Sequence, residues 1–355
     1  MRILHITNYF YPYIDDVENI CKYIVDHSKE HESSVVCFHE KRKDLAEFFS
    51  YFWKLRRAIK EFYPEVIQLH ETNLFAAALL LTMIPKNVKL IVHWHVDVIN
   101  QTICYPLTKP IEKRLLERAD LLVVASSQVR DGALSLQPYR DKVRIVPVGI
   151  DEHMFAPWHY DEFRINEIRR KYQNKPIVFF IGRHIQYKGL SYLIEAEKYV
   201  KSDCVFVIAG SGPLTEKLKS ACHSDRVCFV GRLNDHELRW YHYAASVFAF
   251  PSITKNEAFG VALAEAMYCY TPAVTFTIPG SGVNWVNLNG ETGIEVPNRD
   301  CKAFGEAIDK LLSDKNLAEQ YGEAAHRRVI ENFTIPKMME KMNEVYDEIS
   351  PSING

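Results

Sequence analysis

The chain has 355 residues, of which 47% are hydrophobic and 25% charged, with a formal net charge of −2. That length exceeds one ordinary domain and fits two of middling size, and the composition is that of a globular chain without long disordered stretches. The near-neutral balance excludes the global basic field of a nucleic-acid binder, so an anionic ligand would have to be met by a few local groups.

The N-terminal stretch Met1-Arg2-Ile3-Leu4-His5-Ile6 enters a strand at once and lacks a signal-peptide layout. Strands are expected at 2–7, 34–39, 66–70, 89–94, 121–125 and 143–147, each a short apolar run separated from the next by a helical pattern. The longest apolar run, 74–84, is too short for a bilayer span, which needs about 20 residues, and reads as a buried helix. The segment from Pro147 to Pro157 reads as a linker, with turn residues and a proline at each end. The same rhythm then repeats, with strands expected at 176–181, 204–209, 227–230, 246–250 and 272–275, and helices from about residue 300 to the end. Near-continuous apolar strands alternating with helices imply parallel sheets covered on both faces. The fold class is therefore α/β, two doubly wound parallel-sheet domains, with ligands expected in the loops that follow strands.

None of the eight cysteines forms a CxxC pair and several lie in apolar runs, so they read as buried hydrophobes in a reducing compartment, which suggests a cytoplasmic protein. There is no Asp-x-Asp triplet, and no metal or other cofactor is expected. The first βα turn, Thr7-Asn8-Tyr9-Phe10-Tyr11, has no glycine fingerprint, which disfavours a nicotinamide oxidoreductase.

Three strand-to-helix loops carry residues suited to chemistry. In Lys255-Asn256-Glu257-Ala258-Phe259-Gly260-Val261, a glycine opens an alanine-rich helix whose unpaired amides suit a phosphate or a sugar hydroxyl. Glu257 and Glu265 are eight positions apart, about two helical turns, and are expected on roughly one face. An acid stabilising the helix dipole plus a solvated glutamate is the plain alternative. In Gly182-Arg183-His184-Ile185-Gln186-Tyr187-Lys188-Gly189, Arg183 and Lys188 suit a diphosphate, or are ordinary surface cations. Gly210-Ser211-Gly212-Pro213 is a fragment of a phosphate-loop pattern or a structural turn. A fourth stretch, 41–60, has seven basic residues against two acidic ones, interleaved with aromatics such as Trp53. It is either a helix that meets an anionic membrane or an ordinary helix with an aromatic core face.

Taken together, these loops, with Phe229-Val230-Gly231-Arg232-Leu233, Asn289-Gly290-Glu291-Thr292-Gly293 and the helix near Arg328-Val329, resemble glycosyltransferase family 4 over essentially the whole chain. Trp94-His95-Val96-Asp97 and Pro279-Gly280-Ser281-Gly282-Val283 look most like bacterial surface-polysaccharide enzymes of mannosyl or rhamnosyl type.

The resemblance implies the GT-B fold, with two Rossmann-like domains facing across a cleft. The expected division is an acceptor domain over 1–155, a nucleotide-sugar donor domain over 156–335, and a last helix over 336–355 crossing back to the first. It implies retaining transfer of a hexose from a nucleoside-diphosphate sugar, without a metal, to a saccharide or a lipid-linked saccharide at the inner membrane. Arg183 and Lys188 would hold the diphosphate, Glu265 the ribose, and Glu257 with the amides around Phe259, Gly260 and Val261 the donor sugar. Gly210 and Gly212 would line the donor site, the backbone near Arg232 and Leu233 would read the base, and His95 would sit across the cleft beside the sugar. Where family members commonly carry Gly-Gly, this chain has Asp15-Asp16; either the loop sits further back, or one of the two serves the acceptor, or they cap a helix. A binding module without turnover and a sugar-nucleotide epimerase are the competing functions.

Overall fold

The computed structural model describes residues 1–8, 16–37, 45–71, 74–95, 105–156 and 161–350, which form two compact units. Asp15 lies outside the described residues, and Asp16 opens the first helix.

The first unit comprises Met1–Gly149 together with Ile335–Gly355. Its strands are β1 (Arg2–Thr7), β2 (Glu32–Cys37), β3 (Val66–Glu71), β4 (Lys89–Trp94), β5 (Leu121–Val124) and β6 (Val143–Ile145). They form one all-parallel sheet in the order β2-β1-β3-β4-β5-β6. The helices α1 (Asp16–His27), α2 (Leu45–Phe62), α3 (Leu74–Met83), α4 (Tyr105–Arg118) and α5 (Ser127–Gly132) connect them. The apolar run expected to be a buried helix is α3, hydrophobic all round and with Ala76, Ala77 and Leu80 buried.

The second unit, Ile150–Thr334, opens with α6 (Glu152–Phe155) and α7 (Glu162–Lys171). It continues as β7 (Ile177–Ile181), α8 (Leu190–Ala196), β8 (Val205–Ala209), α9 (Thr215–Ala221), β9 (Val227–Gly231), α10 (Asp235–Ala244) and β10 (Val247–Phe250). Then follow α11 (Val261–Tyr268), β11 (Ala273–Phe276), α12 (Val283–Val286), β12 (Gly293–Val296), α13 (Cys301–Ser313) and α14 (Lys315–Asn332). The sheet is again all parallel, in the order β12-β11-β10-β7-β8-β9. Phe179, Phe180, Phe206, Phe248, Phe250 and Phe276 are fully buried on its strands, each stabilising the unit by roughly 1.5–3 kcal/mol.

The last helix, α15 (Ile335–Ile349), belongs to the first unit, where Met338, Met342, Val345 and Tyr346 are buried. Tyr346 donates to Gln68 Oε1 on β3 at 2.5 Å, and Arg144 forms an ion pair with Glu348. The two chain passages between the units are neighbours, because Ile150 N donates to Phe333 O at 2.8 Å.

Each sheet reverses its winding once. In the first unit successive connections run outward from a point between β1 and β3, and in the second from a point between β7 and β10. A crevice opens beyond the carboxyl ends of the strands at such a point, because the loops on its two sides turn to opposite faces of the sheet.

Candidate functional site

The loop after β7 and the loop after β10 flank the reversal point of the second unit. Lys188 comes from the first loop and Glu257 from the second, and Lys188 Nζ donates to Glu257 Oε2 at 2.5 Å. Both are buried, and Ser252 Oγ donates to the same carboxylate oxygen at 2.9 Å. The ammonium lies 5.4 Å from the Phe250 ring centre and 5.5 Å from that of Tyr187, so aromatic faces hold it as well. The β10 loop is pinned in turn: Ser281 Oγ donates to the Glu257 carbonyl, and Gly282 N to that of Ala258 at 3.0 Å.

The chain reaches this arrangement through glycines. Gly189 has φ +65°, and a Cβ there would lie 1.9 Å from the Pro251 carbonyl oxygen, so only glycine lets the β7 loop touch the β10 loop. Gly260, at φ +92°, turns the chain into α11. The amides of Val261 and Ala262 in its first turn have no intrahelical acceptor, and with the helix dipole they favour an anion.

Glu257 and Glu265 do not share the helix face that their spacing suggests. The helix begins at Val261, so Glu257 is not helical, and spacing by helical turns does not relate it to Glu265. The Glu257 carboxylate is directed by Lys188 and Ser252 instead. Glu265 lies within α11 with 15% of its side chain exposed, and His242 Nε2 of α10 is 3.8 Å from its Oε2. His242 is fully buried, and the rings of Phe155, Phe179 and Phe248 lie within 5.7 Å of its ring. No sequence signal singled it out, since helix α10 presents it only as one aromatic residue among several.

Arg183 is exposed on the β7 loop, and Arg232, after β9, donates from Nε to Ser211 Oγ at 2.8 Å. Leu233 beside it is partly exposed. Gly210 and Gly212 are explained by packing: a Cβ at Gly210 would lie 2.0 Å from the Gly182 carbonyl oxygen, and one at Gly212 would lie 2.7 Å from that of His184. These glycines seat the β8 loop on the Arg183 loop. Phe259 is buried, with Phe333 at 5.3 Å and Trp285 at 6.5 Å between ring centres, and Arg328 stacks on both partners. In the 289–293 stretch, Thr292 Oγ1 donates to Asn287 Oδ1 at 3.0 Å, and Asn287 Nδ2 to Thr275 Oγ1 at 3.1 Å, a buried polar knot between β11 and β12.

In the first unit, His95 follows β4 and is buried. It is one of four histidines on one face of the sheet, with His5 on β1, His70 on β3 and His93 on β4. The register explains the grouping: His5 is level with Gln68, and His70 with His93, while alternation returns His95 to the His93 face. Burial lowers the pKa of His5 and His95 to about 3 and holds those of His70 and His93 well below the usual value, so all four are neutral. Sequence reading picks out His95 alone, although His93-Trp94-His95 at a strand end is legible as two imidazoles on one face.

Among the described residues, no helix is long and apolar enough to cross a membrane.

Comparison with known proteins agrees with this architecture. The family model described as glycosyl transferases group 1 matches residues 161–328, and that described as glycosyltransferase family 4 matches 23–154. The O-antigen chain mannosyltransferase C of Escherichia coli is 27% identical, covering 99% of this chain and 100% of that one. The D-rhamnosyltransferase WbpZ of Pseudomonas aeruginosa is 31% identical over 69% of this chain and 63% of its own length. Among solved structures, a glycosyltransferase from Rickettsia africae superposes with a TM-score of 0.81 at 19% identity, covering 100% of this chain and 99% of that one. Anabaena HepE in complex with UDP gives 0.76 at 16%, covering 98% and 100%. The fold is GT-B, and the chain belongs to glycosyltransferase family 4 and is a glycosyltransferase.

Proposed function

We propose that the second unit binds a nucleoside-diphosphate sugar and that the chain transfers its hexose, with retention and without a metal, to a saccharide acceptor in surface-polysaccharide synthesis. The observation that carries this reading is the buried Lys188–Glu257 pair at the reversal point, next to the start of α11 and on the loop that bears Arg183. Departure of a nucleoside diphosphate builds negative charge on phosphate, which Arg183, Lys188 and the Val261 and Ala262 amides are suited to offset. Glu257 accepts hydrogen bonds from sugar hydroxyls, Glu265 from the ribose, and the backbone near Arg232 and Leu233 meets the base. The acceptor oxygen bonds to the anomeric carbon on the face that the phosphate leaves. The C–O bond to phosphate breaks, and the acceptor proton passes to a phosphate oxygen. The names of the Escherichia coli and Pseudomonas aeruginosa relatives support a mannose- or rhamnose-type sugar and an O-antigen-like acceptor.

A lipid-linked acceptor would bring the enzyme to a membrane. Helix α2 suits this with Trp53, 63% exposed, beside exposed Lys54, Arg56, Arg57 and Lys60. Lys41, Arg42 and Lys43 lie outside the described residues. Sedimentation with anionic vesicles checks this part, and retention of the protein in the supernatant counts against it.

The transferase reading is tested by thermal unfolding of the full chain with UDP, GDP or dTDP in EDTA. Selective stabilisation by one of them is expected, about 2.7 kcal/mol at a hundredfold excess over Kd. Failure of all three to stabilise overturns the reading. In Arg183→Ala, turnover should fall further than donor affinity, because the charge it meets develops in the transition state.

A further inference from the structure

The four buried histidines straddle the reversal point of the first unit, and their nitrogens face one another in a defined order. His5 Nδ1 lies 3.4 Å from His70 Nε2, and His70 Nδ1 lies 3.4 Å from His95 Nε2. The His70 and His95 rings are nearly parallel, 14° apart. A neutral imidazole has one N–H and one lone pair, so His70 can donate in only one of its two directions. The two contacts are therefore coupled, and two proton arrangements satisfy both.

In the first, His5 donates from Nδ1 to His70 Nε2, and His70 donates from Nδ1 to His95 Nε2. The atom left over is His5 Nε2, which then carries a lone pair. In the second, every proton sits on the other nitrogen of its ring, and His5 Nε2 carries an N–H. That atom is buried and has no hydrogen-bond partner among the described residues. A buried N–H without an acceptor is tolerated less well than a buried acceptor without a donor. The first arrangement is favoured.

We infer that His70, backed by His5, is a positioning residue that holds His95 neutral with its proton on Nδ1, so that His95 offers a saccharide a hydrogen-bond donor rather than a base. For its functional meaning this rests on the reading of His95 as a sugar contact. The nitrogen that His70 does not engage is thereby fixed as N–H, since the bond made at one ring nitrogen decides the state of the other.

A divalent cation is the rival occupant, because His70, His93 and His95 place nitrogens within 4.8 Å of one another. An ion held by His70 Nδ1 and His95 Nε2 would force the His70 proton onto Nε2. His5 would have to accept it at Nδ1, and the stranded proton at His5 Nε2 would return. The orphaned atom thus argues for a proton chain over an ion held by His70 Nδ1 and His95 Nε2.

Nitrogen NMR of the full chain labelled with 15N-histidine decides the matter. The missing signals of His95→Asn and His70→Asn assign the two rings. Protonated Nδ1 and bare Nε2 on both rings are expected at neutral pH. A protonated Nε2 on His95 in the wild type overturns the proposal, as does uptake of one equivalent of Zn2+ with loss of the His70 and His95 signals. His70→Leu should release His95 to the other tautomer and raise the donor KM roughly tenfold, the equivalent of one hydrogen bond. His70→Asn, whose amide can still donate near the Nδ1 position, should restore both. The tautomer is read without turnover, so a fully active His95→Leu enzyme would remove the sugar contact while leaving the proton chain standing or falling on its own spectrum.

Discussion

Lys188 and Glu257 lie 69 positions apart on separate loops and meet as a buried ion pair. Because the pair is buried, its energetics differ from those of an exposed ion pair: removing one partner leaves an uncompensated charge and costs about 3–5 kcal/mol, against at most about 1 kcal/mol at the surface. Glu257→Gln keeps the shape and strands the ammonium, so its melting temperature should drop by well over that of Arg183→Ala, which is exposed. The double variant Lys188→Met with Glu257→Gln should regain much of the loss. Additive losses in that cycle would mean the two side chains are not coupled. The glycines divide by the same reasoning. Gly231 has φ +77° but nothing within 4 Å of where a Cβ would sit, so Gly231→Ala should cost only the backbone contribution of about 1–2 kcal/mol. Gly210, at φ +102°, would in addition drive a methyl to 2.0 Å from a backbone oxygen. Gly210→Ala should destabilise several-fold more in free energy, and equal denaturation midpoints for the two variants would mean that the β8 loop does not pack on the Gly182 carbonyl.

At the scale of elements, strands are legible where burial on both faces makes them continuous apolar runs; β1 and β4 lie where the pattern puts them. The strand not foreseen, β12, is four residues, Gly-Ile-Glu-Val, with Ile294 and Glu295 only partly buried, so it carries neither a full apolar run nor clean alternation. The start of α11 departs from expectation for a different reason. The helical period is visible from Val261 onward, but what stops it from reaching back to Glu257 is the φ +92° of Gly260 and the tertiary contacts of Ser281 and Lys188. The histidine face formed by β1, β3 and β4 has a consequence of its own. With folded pKa values of about 3 against 6.5 in the unfolded chain, His5 and His95 bind fewer protons when folded. Their contribution is fully present above about pH 6.5 and is lost progressively as pH falls from 6.5 towards 3. By pH 5.5 the two together should have withdrawn about 3 kcal/mol, at about 1.4 kcal/mol each. Melting curves at pH 7.5 and 5.5 check the direction; His70 and His93, also held well below the usual value, add to the loss, and His5→Phe should narrow the difference by about its own 1.4 kcal/mol.

For the whole molecule, the order of units along the chain decides which half can stand alone. The second unit is continuous, Ile150–Thr334, and its two ends meet through the bond from Ile150 N to Phe333 O, so it can be cut out without leaving a gap. The first unit is not continuous. Its sheet face bearing Gln68 and His93 is covered by α15, which arrives only after the second unit is complete, and Met338, Met342, Val345 and Tyr346 are all buried there. Losing four such side chains removes roughly 6–12 kcal/mol at about 1.5–3 kcal/mol each, and a domain has only about 5–15 kcal/mol to lose. A fragment of residues 150–334 should therefore unfold cooperatively and keep the nucleotide-dependent rise in melting temperature expected of the full chain. A fragment of residues 1–149 should fail to fold unless a peptide of residues 335–350 is added. If 1–149 melts by itself near the temperature of the intact protein, α15 is an accessory and not a wall of that core. If 150–334 folds but ignores every nucleotide that stabilises the full chain, the Lys188–Glu257 loops need the rest of the molecule to bind.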